Sequence, residues 1–293
     1  MAFTVSCLSV LLGLPGNSIL IHALRTRIKQ KRAAMSRFIL NLASTDLSAL
    51  LTYVPFYTMM YGKNNLMTPV VLCKLMDSVM CVLVTVSMYT HVAIAVERRR
   101  AIVFPLHPKP SPRKVKICLW FIWMIPSVVF GTSLPITNLG NRISCTLELK
   151  GVSAINKAIY LLLAPSLLFL FPVGLILWAY GHITFKLKRN RIPSEDLRNN
   201  SAVIVRVKKQ RKVLRTLKSL AVIFIATIFS FFMIHILMYF FEGSSREFFW
   251  LKKFFPFILS IHFSIYALNP VVLYISSNDY RNAFNDILNV PLH

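Results

Sequence analysis

Seven apolar runs long enough to cross a bilayer divide the chain, at about 2–24, 38–61, 71–97, 116–136, 158–185, 216–241 and 251–275. A hydrocarbon core roughly 30 Å thick asks for about 20 such residues in a helix. The third run carries most information. From Leu75 to Val96 it is apolar or small and polar, interrupted only by Asp77 and His91, and it ends in Glu97-Arg98-Arg99-Arg100. As a helix, the stretch from Cys73 to Arg98 rises about 37 Å at 1.5 Å per residue. A cysteine therefore stands at one membrane face and an acid–arginine pair at the other. After the last run, Asn278 or Asp279 is placed to cap a short helix with Tyr280, Phe284, Ile287 and Leu288 on one face, suited to lie along the membrane surface. The expected fold is an all-α membrane protein: a seven-helix bundle over 1–276, then an amphipathic eighth helix and short tail over 277–293.

Composition agrees. Of 293 residues, 56% are hydrophobic and only 15% charged, where soluble domains run near a quarter charged. A formal charge of +24 would point to nucleic acid on a polar chain. Here the basic residues fall between apolar runs, so no nucleic-acid partner is expected and membrane lipid is the surroundings. With the start outside, the inner segments 25–37, 98–116 and 186–218 plus Arg281 hold 26 of the 34 Lys and Arg. The positive-inside rule then sets the start outside and the tail inside. The first run reads as a membrane helix rather than a cleaved signal peptide. The triplet Asn199-Asn200-Ser201 falls on the inner side and should stay unglycosylated. No CxxC or HExxH occurs, so neither a metal site nor a catalytic residue is proposed. His22, His91 and His182 read as packing or interface residues.

Short motifs then appear in order. Gly16–Leu20 reads GNSIL, Asn41–Leu47 reads NLASTDL, and Cys73 and Glu97-Arg98-Arg99 bracket the third helix. Trp123 follows, then Pro172 and Tyr180 eight residues apart, Phe224, and Asn269-Pro270. Together they resemble the rhodopsin-like G-protein-coupled receptors over nearly the whole chain. The loop VERRRAIVFPLHPK resembles the neuropeptide FF, orexin and tachykinin receptor group. The resemblance implies a polar switch network of Asn17, Asp46, Ser87 and Asn269, with Pro172, Phe224, Ile228 and Pro270. A buried Asp46 is costly in a membrane, which itself suggests function, and the group could hold water or a sodium ion. No other cofactor is expected, and Ile265 and Tyr266 stand where the family usually supplies small or amide groups. Arg98 is expected to pair with Glu97 at rest and to meet a heterotrimeric G protein on activation. Arg99, Leu106 and Tyr180 complete that coupling face. Cys73 and Cys145 lie in exterior segments and are expected to pair, pinning the second outer loop to helix three; such a bridge typically contributes about 2–4 kcal/mol. Cys7, Cys81 and Cys118 read as plain thiols in apolar helices.

Three positions depart from the family pattern. Ile228 replaces the helix-six tryptophan, Ser230 the kinking proline, and Tyr274 comes one residue late after Asn269-Pro270. One residue is about 100° around a helix, so Tyr274 does not substitute directly. For the ligand, an opsin would need a lysine deep in helix seven, and an amine receptor an acid where this chain has Met80. A peptide ligand suits the mouth better, with Tyr57, Asp77, Met80, Glu148, Phe232, His235, Glu242 and Phe255 as candidates and Thr137–Asn156 as a hairpin lid. The reading is a non-enzymatic, plasma-membrane receptor for a neuropeptide. The alternative is a non-signalling decoy or scaffold, or a constitutively active relative. A transporter is a distant third, since no pair of broken helices appears.

Overall fold

The computed structural model describes residues 2–26, 34–60, 70–133, 138–141, 146–148, 166–189, 214, 218–219, 221–230, 233, 237, 245–276 and 278–288. Helices α1 (Ala2–Thr26), α2 (Ala34–Met60), α3 (Val70–Val103) and α4 (Pro112–Ser133) are followed by α5 (Phe171–Arg189) and α6 (Ala221–Ser230). Helices α7 (Ser245–Ser276) and α8 (Asn278–Leu288) complete the series. Among the described residues four stretches are long and apolar enough to cross a membrane: Phe3–Thr26, Val71–Val103, Pro112–Gly131 and Lys253–Ile275. The helices outrun the apolar runs at their charged ends. In α3 the helix continues through the three arginines to Val103, because Arg and Ala propagate a helix well once water solvates the charges.

α3 is the axis of the bundle, packed on α2, α4 and α5, while α1 packs on α2 and α7. The core is a continuous apolar cluster that includes Leu50, Met80, Met88, Ile183, Phe224 and Phe263. Helices α1 and α7 approach backbone to backbone: a Cβ on Gly13 would lie 3.2 Å from Ala267 Cα, and one on Gly16 would lie 2.9 Å from Pro270 Cγ. Small residues permit such approach where lipid supplies no hydrophobic drive between helices. A π-helical turn, Ser166–Leu170, leads into α5 just before Pro172, whose ring cannot fit an unbroken α-helical ladder. The expected hairpin is present: β1 (Asn138–Asn141) pairs antiparallel with β2 (Thr146–Glu148), in the register Asn138↔Glu148 and Leu139↔Leu147. α8 packs against α1 and α7, burying Ala283, Phe284 and Asn285. Tyr280 and Ile287 are partly buried and Leu288 is exposed.

Candidate functional site

Half-way along the bundle, α1, α2, α3 and α7 bring polar side chains into the buried interior. Asp46, Ser87, Asn17 and Asn269 are all buried. Asn269 Nδ2 donates to Asp46 Oδ2 at 2.6 Å, and Asn17 Nδ2 donates to the carbonyls of Gly13 and Tyr266, each at 2.9 Å. Four oxygens have no hydrogen-bond partner among the described residues: Asp46 Oδ1, Ser87 Oγ, Asn269 Oδ1 and Asn17 Oδ1. Buried polar atoms are rarely left so, and an oxygen-only set with one carboxylate fits water or a hard cation. The Tyr266 hydroxyl is engaged elsewhere, 3.1 Å from His262 Nε2. Among the described residues no group of three or more His, Cys, Asp or Glu could hold a metal ion.

The arginine end of α3 differs from expectation. Glu97 does not hold Arg98; it receives two parallel bonds from Arg100, at 2.6 Å from the terminal nitrogen and 2.9 Å from Nε. The i, i+3 spacing places that pair on one helix face, whereas adjacent residues diverge by about 100°. Arg100 also donates to the Pro108 carbonyl at 2.7 Å, so one guanidinium ties the end of α3 to the following loop. Arg98 points inward instead. Its Nε has no hydrogen-bond partner among the described residues, and Tyr280 of α8, Tyr180 of α5 and Glu97 are near enough to interact with it electrostatically. Arg99, where the family carries tyrosine, enters an aromatic cage. Its carbon lies 4.1 Å from the Trp178 ring centroid and 5.1 Å from that of Phe104. Its Nε donates to His182 Nδ1 at 2.9 Å. Leu106 is 97% exposed in the loop beyond α3.

Between these levels lie the switch positions. Phe224 is buried and stacks on His91, with centroids 4.3 Å apart and planes 11° from parallel. Ile228, Pro172 and Pro270 are buried too. Ser230, in the place of the usual proline, turns its hydroxyl back to the Ala226 carbonyl at 2.9 Å. Tyr274 donates its hydroxyl to Asn285 of α8 at 3.1 Å, so it serves the α7–α8 junction and not the α3 arginine.

At the opposite end Cys73 is buried and disulfide-bonded, while Cys7, Cys81 and Cys118 are free. Cys145 lies outside the described residues, as do Phe232, His235 and Glu242. Tyr57 lies on α2 and Glu148 on β2, without described side chains. Of the other ligand candidates, Asp77 is partly buried, and Met80 and Phe255 belong to the buried core.

Two groups had signals that sequence reading passed over. Arg100 stands three residues after Glu97, a spacing that announces an ion pair on a helix. Asn41 and Trp123 are recognisable motif residues, but their joint role needs the fold: Trp123 Nε1 donates to Asn41 Oδ1, and Asn41 Nδ2 donates to Thr90 Oγ1, both at 2.8 Å. His182, read as a packing residue, is the acceptor for Arg99. Nothing local marks that contact, because its partners are 83 residues apart.

The family model described as "7 transmembrane receptor (rhodopsin family)" matches residues 16–273. Neuropeptide Y receptor type 2 of Sus scrofa is 33% identical over 199 residues, 64% of this chain and 51% of that protein. The Homo sapiens receptor of the same name gives the same figures, and that of Mus musculus is 32% identical over the same coverage. The chain thus spans about half the length of the curated relatives it matches. These relatives are neuropeptide receptors, as the loop after α3 suggested, but of the neuropeptide Y kind.

Proposed function

Because this chain belongs to the rhodopsin family of seven-transmembrane receptors, we propose that it is a plasma-membrane receptor for an extracellular peptide and promotes nucleotide exchange on a heterotrimeric G protein. The observation that carries the reading is Arg98: a guanidinium at the end of a membrane-spanning helix, with the phenols of Tyr280 and Tyr180 beside it and its neighbouring carboxylate hydrogen-bonded to Arg100 instead. Such a group can reach a partner docked at that face once the helices part. The distribution of basic residues supports placing that face in the cytoplasm, with the disulfide-bonded Cys73 on the outside. Likeness to neuropeptide Y receptors supports a peptide ligand, and the loop VERRRAIVFPLHPK keeps neuropeptide FF, orexin and tachykinin peptides among the candidates. Ligand and G protein would each favour the open arrangement, and their affinities are then reciprocally coupled. The four unpaired oxygens around Asp46 support a water or sodium site that holds the closed arrangement.

A second reading has its own support. Glu97 is held by Arg100, Ile228 replaces the usual helix-six tryptophan and Tyr274 comes one residue late, which favours a receptor with high basal activity. The test is basal nucleotide exchange in membranes carrying this chain, followed by a panel of amidated neuropeptides. Low basal exchange with a selective peptide response supports the first reading. High basal exchange with no peptide response supports the second, and no exchange from a well-expressed chain overturns both.

A further inference from the structure

We propose that Arg99 and His182 are positioning residues for the loop that carries Leu106, and that the bond between them is a latch that a proton opens. Arg99 stands where the family has tyrosine, which brings a ring but neither a fixed charge nor an Nε–H. In this chain the guanidinium lies over the Trp178 ring of α5, 4.1 Å from its centroid, and 5.1 Å from that of Phe104. Arginine keeps its charge and stacks on aromatic faces. One side chain near the end of α3 thus grips α5 and the start of the loop together. A second tie holds the far side of the loop, where Arg100 donates to the Pro108 carbonyl at 2.7 Å. The chain turns between the two ties, with the His107 amide donating to the Phe104 carbonyl at 3.1 Å. Leu106 projects from that turn, 97% exposed. An apolar side chain held out on a fixed turn spares a partner the cost of ordering the loop.

The proton sensitivity comes from His182. Arg99 Nε donates to His182 Nδ1 at 2.9 Å, and a guanidinium has no acceptor to offer in return. Nδ1 is therefore the bare nitrogen, and the proton of the neutral ring sits on Nε2. A second proton would turn the acceptor into a donor and set two cations face to face. The surroundings would not relieve this. Arg99 faces the ring from α3, Phe104 meets it edge-on from the loop at 6.3 Å, and Trp178 tilts against it from α5 at 6.4 Å. His107, edge-on to the same Phe104 at 5.3 Å, would add only positive charge, as would Lys186 one turn further along α5. Glu97 is taken by Arg100, and among the described residues no carboxylate lies within ion-pairing distance of His182. The latch is closed while the imidazole is neutral and is lost as pH falls.

The inference rests on the coupling role proposed for Leu106, and the test separates the two. A nitroxide on Leu106→Cys, in the full chain with Cys7, Cys81 and Cys118 changed to serine, reports loop mobility. Nucleotide exchange at increasing G-protein concentration is measured on the unlabelled chain. Both are read between about pH 7.5 and about pH 5.5, inside the interval where histidine ordinarily changes charge. Loss of a charge-assisted hydrogen bond should mobilise the label and raise the half-maximal G-protein concentration roughly tenfold, with the maximal rate little changed. His182→Asn, whose amide oxygen accepts from Arg99 without titrating, should stay latched throughout. Arg99→Lys keeps the charge but lacks the planar fork, and its label should be mobile at both ends of the range. A pH response that survives in His182→Asn, or a label as immobile in Arg99→Lys as in its parent, overturns the proposal. A label that loosens with acid while the G-protein dependence stays flat upholds the latch and removes Leu106 from coupling.

Discussion

Gly13→Ala should destabilise this protein although alanine is the better helix former. The new methyl would stand 2.5 Å from Leu50 Cδ1 and 3.2 Å from both Cα and Cβ of Ala267. Leu50 is fully buried, so its side chain can retreat only into a packed core, and the Ala267 backbone cannot retreat at all without parting α1 from α7. Overpacking of this kind costs about 1–3 kcal/mol, against a gain of about 0.5–1 kcal/mol from replacing glycine inside a helix. The net loss is about 1–2 kcal/mol, or roughly 2–8 °C in melting temperature for a chain of this size. Gly181→Ala, in mid-α5, meets nothing within 4 Å among the described residues and should be neutral or stabilising by up to about 1 kcal/mol. The assay is a thermal ramp of purified protein with a maleimide dye that reports the free thiols Cys7, Cys81 and Cys118, all partly shielded in the fold. A Gly13→Ala protein as stable as wild type, or two variants that shift in the same direction, would refute the close approach of α1 and α7.

Arg98→Ala should abolish G-protein activation while leaving surface expression intact; nucleotide exchange at the wild-type level would remove Arg98 from the coupling role. Glu97→Gln weakens the fork from Arg100 and should leave basal exchange unchanged, because Glu97 is hydrogen-bonded to Arg100 and not to Arg98. Its effect on stability should stay under about 1 kcal/mol, since the pair is partly solvated, and a rise in basal exchange would show that Glu97 restrains Arg98. Asp46→Asn removes the only carboxylate of the mid-membrane cluster. Replacing potassium by sodium at constant ionic strength should reduce activation of wild type and leave the variant unaffected, measured by nucleotide exchange. Cys73→Ser should cost about 2–4 kcal/mol and lower surface expression, read by the same dye ramp and by surface labelling.

Hydropathy alone located α1, α2, α3, α4 and α7 well, because membrane spans must be both long and apolar. It misplaced their charged ends: α2 begins at Ala34 and α3 runs to Val103, since hydropathy falls where charge begins but the helix hydrogen-bond ladder does not stop there. The buried polar residues Asp46, Asn17, Ser87 and Asn269 were legible for the same reason they are costly, standing out against an apolar background. The partners of the arginines were not. Arg98, Arg99 and Arg100 look alike in sequence, yet they point about 100° apart on the helix and meet three different surroundings: two phenols, an aromatic cage, and Glu97 with the loop carbonyl of Pro108. The link from Arg37 to the Pro112 carbonyl was equally hidden, because the two meet only when two helices separated in the chain pack together.

The Asn41 bridge has a mechanical meaning. Through it α2, α3 and α4 are pinned by two short hydrogen bonds, and Arg37 adds a third link from α2 to α4. Those three helices form a stator. On the other side α3 meets α6 through the stacked faces of His91 and Phe224, and rings can slide over one another with little loss where aligned hydrogen bonds cannot. Torque generated at the outer mouth would therefore be taken up by the α6 side. Spectroscopic labels on α2 and α4 should keep their spacing while one on α6 moves away from α3.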